Sequence, residues 1–177
     1  MAKIVNLQSY RTRAVAERVY GPWRKRFQGV FSEKTGLADL DNQILFRLAQ
    51  PGDESTLAFY EIVMGALKLG EGTQFYYLDK GEQLRVVDIH LFLADQVRFE
   101  LMQRLGWLSE FSCRHHSILE LIQESERLKL KAMNNPPELT KSHPEYDYFK
   151  ELIPREKDAF IRRLLPKALD SFKKDLV

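Results

Sequence analysis

The apolar and polar positions between Asp79 and Trp107 predict one long helix. Asp79 and Glu82 have the spacing of a capping box, with a small acid at the N-cap and a glutamate three residues later. Gly106 is a suitable helix stop. At about 100° per residue, one apolar stripe follows the segment, and it consists of Ile89, Phe92, Leu93, Val97 and Leu101. The pattern therefore predicts a central helix over about residues 80–105.

Two polar residues, Gln96 and Glu100, fall within this apolar stripe. An unpaired carboxylate is costly to bury, so Glu100 requires a compensating partner if the stripe faces the core. The favoured interpretation is a structural ion pair or hydrogen bond, for example with an arginine of another helix. Two alternatives are partial exposure at the helix end and a ligand or metal pocket, since ionisable groups on buried faces sometimes mark functional sites.

The rest of the chain shows the same helical period in shorter stretches, separated by glycine, proline and capping residues. Two short apolar runs, residues 75–78 and 84–87, could instead pair as a hairpin around Lys80-Gly81. The long helix is preferred, and the chain as a whole predicts an all-α, single-domain bundle of five or six helices over residues 1–177. Besides the central one, the predicted helices are Ser9 to about Tyr20, Trp23 to Phe31, Asp39 or Asp41 to Ala49, Ser55 or Thr56 to Leu69, Ser109 or Ser112 to Met133, and Pro154 onward. Pro166 should break the last of them, and residues from Asn134 to Pro144 should form an irregular loop.

Composition is typical of a folded protein in a reducing compartment. The 177 residues are 44% hydrophobic and 29% charged, with a net charge of +2. The single cysteine, Cys113, excludes an internal disulfide framework. No apolar run is long enough for a membrane span, and the first residues lack the apolar region of a secretory signal. We expect a cytoplasmic protein.

Positive charge is concentrated at the N-terminal end. Residues 1–30 hold seven basic residues against Glu17 alone, a net charge of +6, whereas the remainder carries twenty basic and twenty-four acidic residues. This basic aromatic arm, about residues 1–31, is the predicted contact surface for an acidic protein or for self-association. Nucleic acid is an alternative partner, because arginines interleaved with aromatics also stack on bases. The favoured interpretation of the aromatics themselves is that they dock the arm on the protein's own core, while the arginines are solvated or pair with the acidic body. The candidate partner-binding residues are Arg11, Arg13, Arg18, Trp23, Arg24, Lys25 and Arg26.

Little in the sequence indicates enzymatic chemistry. Cys113, His115 and His116 form the only metal-like cluster, with Glu120 one turn beyond His116, but they cannot all face one point on a regular helix. No metal and no cofactor is therefore assigned. The leading hypothesis is a non-enzymatic binding or regulatory protein that uses its arm. The alternative is a bundle enzyme or sensor with a polar or metal-binding pocket formed by Gln96, Glu100 and an inward-facing His115.

Overall fold

The chain is all-α in the computed structural model, which describes residues 7–176. Within that part there is no strand, only the isolated bridges Gly36–Ser117 and Leu108–Leu139. Two 3-10 helices, Leu37–Asp39 and Gly72–Tyr77, accompany the α-helices. The α-helices of the described residues are α1 Leu7–Val19, α2 Gly21–Phe27, α3 Asn42–Ala49, α4 Asp53–Ala66, α5 Lys80–Arg104, α6 Ile118–Gln123, α7 Ser125–Asn134, α8 Tyr146–Lys150, α9 Pro154–Arg163 and α10 Leu165–Asp175.

Helix α5 is the predicted central helix, and its predicted cap and inward stripe are confirmed. The Asp79 side chain accepts a hydrogen bond from the Glu82 amide at 2.8 Å. The apolar stripe is buried against α3, α4 and α10. The competing hairpin is wrong, because residues 72–77 form a 3-10 helix and α5 runs unbroken from Lys80.

The helices α3 and α4 pack on one side of α5. Asp41 caps α3 by accepting from the Ile44 amide at 2.8 Å. Helix α4 begins at Asp53, before the predicted Ser55 or Thr56. The physical reason is that both hydroxyl groups donate backward, to the carbonyls of residues 50 and 52, instead of accepting from the next helical turn.

The single helix predicted from Ser109 or Ser112 to Met133 is wrong. Residues 109–117 are irregular, and α6 begins only at Ile118, where Ser117 accepts from the Glu120 amide at 3.1 Å. Long-range backbone bonds hold the irregular segment: the Ser109 amide donates to the Glu138 carbonyl, and the Ile118 amide donates to the Thr35 carbonyl. These bonds take the place of local helical hydrogen bonds, so residues 109–117 form no helix.

The predicted effects of the prolines on the helices in the last third of the chain are confirmed. Pro154 opens α9, and α9 ends at Arg163, before the second proline-bearing helix α10. Residues 135–144 are irregular, as predicted. One continuous cluster of buried side chains extends from Ala16 in α1 to Phe172 in α10. Among the described residues, no helix is both long and apolar enough to cross a membrane.

Candidate interaction surface

The first two turns of α1 lie outside the core. All residues from Leu7 to Ala14 are exposed, and burial begins only at Ala16 and Val19. The helix already includes Ser9, so the predicted start at that residue is wrong. Residues 1–6 of the predicted arm, including Lys3, lie outside the described part. An exposed helical segment of this kind contributes little to the fold and is available to a partner.

One face of α1 combines cationic and apolar side chains. At about 100° per residue, Leu7, Arg11, Ala14 and Arg18 fall within about 60° of one another, and Tyr10 lies beside them. Leu7 and Tyr10 are each 66% exposed. Arg11 and Arg18 are separated by about 10 Å along the helix, and neither takes part in an ion pair within the described residues. We call this set of five residues the α1 outer face.

The opposite face of α1 anchors it to α4. Ala16, Val19 and the following Tyr20 are buried. Gly65 of α4 lies against Val19, so closely that a β-carbon on Gly65 would be in van der Waals contact with the Val19 backbone at 3.6 Å. The anchoring side therefore sets the direction in which the outer face points.

Trp23 belongs to the core, and its predicted role as an exposed partner-binding residue is wrong. Its indole Nε1 donates to the Ala58 carbonyl at 2.7 Å, and only 1% of the residue is exposed. Its ring packs with those of Tyr20, Phe27 and Phe31. Apart from the exposed Tyr10, the aromatics of the arm thus dock it on the protein's own core, as one interpretation of the sequence predicted.

The remaining cations of the arm divide into engaged and exposed groups. Arg24 donates to the carbonyls of Glu17 and Phe31 at 2.9 and 3.0 Å. Arg26 forms an ion pair with the largely buried Glu61, which raises the pKa of Arg26. Both arginines therefore serve the fold. Lys25 between them is exposed and borders an open cleft of about 750 Å³.

Arg13 lies on the side of α1 and approaches Glu33, with 3.6 Å between Nε and Oε1. Its side chain is 71% exposed, so this pair contributes little to stability. Of the seven predicted partner-binding residues, the structure leaves Arg11, Arg13, Arg18 and Lys25 exposed.

The predicted burial of Gln96 and Glu100 is confirmed, at 3% and 0% exposure. Each Glu100 carboxylate oxygen accepts from a different arginine: Oε1 from Arg104 Nε at 2.8 Å and Oε2 from Arg114 Nε at 2.9 Å. The same pairing raises the pKa of Arg114. Both oxygens are occupied by fixed arginines, which favours the structural ion pair over a ligand or proton-transfer role.

His115 does not join Glu100 and Gln96, and the predicted three-residue pocket is wrong in that respect. The His115 side chain is 69% exposed and pairs with Glu110. The inward orientation assumed a helix that begins at Ser109 or Ser112, whereas His115 lies in the irregular segment before α6. Arg114, the residue before it, faces Glu100 instead. Sequence reasoning missed both arginines: the one-turn spacing of Glu100 and Arg104 was a visible signal for Arg104, whereas Arg114 had none.

The possible metal cluster also separates in space. His116 Nδ1 lies 2.9 Å from Glu120 Oε2, so these two side chains bond to each other. Cys113 is buried, and burial raises the pKa of its thiol, which therefore remains protonated near neutral pH. Across residues 7–176, no group of three potential ligands has the geometry to hold an ion.

Comparison with known proteins yields no match to a protein-family model, a curated protein or a solved structure.

Proposed function

We propose that this protein is a non-enzymatic binding protein that engages an acidic protein surface through the α1 outer face. The observation that carries the proposal is the exposure of every residue from Leu7 to Ala14 in a helix that is otherwise well formed. The fold uses only the last two turns of α1. The exposed turns present Arg11 with Leu7 and Tyr10 on one side, and the exposed Arg18 continues the same side in the last turns of the helix.

The mixture of residues favours a protein over a nucleic acid as the partner. Arginine and tyrosine are among the side chains most enriched at the centres of protein interfaces. Leu7 adds an apolar contact, whereas phosphate backbones are bound mainly by cations and hydrogen-bond donors. An acidic helix or strand with apolar residues between its carboxylates would match both parts of the face. A cytoplasmic location, consistent with the single cysteine, belongs to the same proposal.

Selection from a library of random displayed peptides tests the chemistry of the proposed partner. The full chain is immobilised, and the recovered peptides are resynthesised and titrated. We expect peptides rich in aspartate and glutamate with interspersed apolar residues. Each of Tyr10→Ala, Arg11→Ala and Arg18→Ala should weaken their binding by about tenfold, the loss of one strong interface contact.

A control variant with Arg155→Ala and Lys173→Ala removes two exposed charges outside α1 and should bind the peptides normally. Polyuridylate, titrated in parallel, separates the nucleic-acid alternative. Neutral or basic peptides, acidic peptides that bind the α1 variants as well as the native chain, or tighter α1-dependent binding of the RNA would each contradict the proposal.

A further inference from the structure

A second surface, on the central helix, carries exposed apolar residues that the fold does not use. Leu84 and Leu91 are 64% and 56% exposed, and Val87 between them is half-buried. Their spacing of three and four residues places them on one side of α5, opposite the buried Leu93. We call these three residues the outer stripe of α5. Exposed apolar residues that follow one another along a helix commonly mark an interaction surface.

Two exposed tyrosines extend this apolar surface. Tyr76 and Tyr77 are 82% and 89% exposed and belong to the 3-10 helix that precedes α5. The Gln83 side chain donates to the Phe75 carbonyl at 3.2 Å and so holds that 3-10 helix against the start of the stripe. On the other flank, an open groove of about 710 Å³ between α5 and α7 borders Leu84 and Asp88, so α7 does not cover the stripe.

The charges around the stripe follow a self-complementary order. Within residues 80–95, Glu82 lies on the opposite side of α5, and the other charged residues and the two stripe leucines follow the order Lys80, Leu84, Arg85, Asp88, Leu91, Asp95, which is cation, leucine, cation, anion, leucine, anion. Read backward, the order has every sign reversed. Lys80, Arg85 and Asp88 are exposed and form no ion pair within the described residues. Asp95 is held by both guanidinium nitrogens of Arg162, at 2.8 and 2.9 Å.

We propose that the outer stripe of α5 pairs with the same stripe of a second copy of this chain, antiparallel and about a two-fold axis. With the axis between Val87 and Asp88, Leu84 of each copy meets Leu91 of the other, and Lys80 lies opposite Asp95, whose carboxylate it would share with Arg162. Arg85 lies within reach of Asp88 of the other copy. A parallel, in-register pair would instead bring like charges together, so the charge order selects the antiparallel arrangement.

This arrangement has the commonest symmetry of soluble oligomers, and it doubles the effect of any substitution in the stripe. The second copy would cover the leucines that are most exposed on α5. The tyrosines at the end of each stripe would lie at the rim, where amphipathic aromatic side chains are suited to partial burial. The α1 outer face belongs to a different helix, so this interface and the proposed acidic-protein site are tested independently.

Sedimentation equilibrium of the full chain over a range of concentrations tests the dimer. The native chain should fit a monomer–dimer equilibrium. Leu84→Asp should raise the dissociation constant by about a hundredfold, since it places two charges at the two-fold contact. Ile153→Asp is the matched control: it changes a side chain of similar exposure, 59%, outside α5 and should leave the dissociation constant unchanged.

A charge exchange tests the antiparallel register itself. Arg85→Asp and Asp88→Arg should each weaken the dimer, because each brings like charges together across the axis. The double variant restores opposite charges and should return the dissociation constant to within about threefold of the native value. A native chain that stays monomeric, a dimer insensitive to Leu84→Asp, or a double variant no better than the singles would overturn the proposal.

Discussion

His90 is placed where its charged form is disfavoured. Its imidazole lies 5.2 Å from the Phe59 ring and 5.4 Å from the Tyr60 ring. Burial lowers the pKa of His90 below its usual value, and the nearby Arg98 lowers it further. The folded state therefore binds a proton less readily than the unfolded chain, so acidification favours unfolding through this residue.

The free energy of unfolding should consequently fall as the pH decreases below the pKa of histidine in the unfolded chain, about 6.5. One proton contributes a slope of at most about 1.4 kcal/mol per pH unit. His90→Phe keeps an aromatic ring and should flatten that part of the profile in urea unfolding between about pH 7.5 and pH 5.5. His115→Gln, which removes an exposed imidazole, should leave this component of the slope in place. An unchanged slope in His90→Phe would show that the residue is equally basic in both states.

At the same scale, the burial of single polar residues was predictable, but of the two partners of Glu100 only Arg104 was visible in the spacing. The helical period alone placed Gln96 and Glu100 on the buried face. The two arginines that neutralise Glu100 come from its own next turn and from an irregular segment. No period applies to that segment, and this is also why His115 was assigned the wrong orientation.

At the scale of the element, two glycines differ in the space available for a side chain: Gly65 of α4 has room for a β-carbon, and Gly72, which packs against α4, has none. A β-carbon on Gly65 would make an ordinary contact with Val19 at 3.6 Å. On Gly72 it would lie 2.9 Å from the backbone nitrogen of Glu61, closer than atoms of a folded chain can approach. The first glycine is therefore replaceable, and the second is required by the close approach of the 3-10 helix to α4.

We expect Gly65→Ala to stabilise the protein by about 0.5 kcal/mol, because alanine restricts the unfolded chain and favours the helix. Gly72→Ala should destabilise it by about 1–3 kcal/mol, because the backbone must shift. Chemical denaturation of both variants measures the difference, and each serves as the control for the other. A change in stability of the same sign for both variants would contradict this account of the packing around α4.

Helix starts were predictable where a cap acts locally. Asp41 and Asp79 each accept from the amide three residues on, which the sequence spacing alone indicates. Ser109, Ser112 and Ser117 all have the chemistry of a cap, and only Ser117 is used. The choice among them depends on backbone bonds to residues 35 and 138, distant in sequence, which a local pattern does not contain.

At the scale of the whole molecule, the Glu100 cluster joins segments that are far apart in the chain. Arg104 binds Glu100 and also donates to the Asn42 side chain at 2.9 Å and to the Leu37 carbonyl at 3.0 Å. Arg114 brings the segment before α6 to the same carboxylate. One buried charge thus connects the central helix, the start of α3, the 3-10 helix before it and the irregular segment.

Glu100→Gln should therefore destabilise the whole fold, since it leaves two partly buried arginines without a neutralising charge. We expect a loss of about 3 kcal/mol, at the lower end for a broken buried pair because both arginines retain some contact with solvent. The midpoint of cooperative unfolding in urea, followed by circular dichroism, measures it. Glu110→Gln, at an exposed carboxylate, should change stability by less than about 0.5 kcal/mol. A loss below about 1 kcal/mol for Glu100→Gln would mean that this carboxylate is not the charge that holds these segments together.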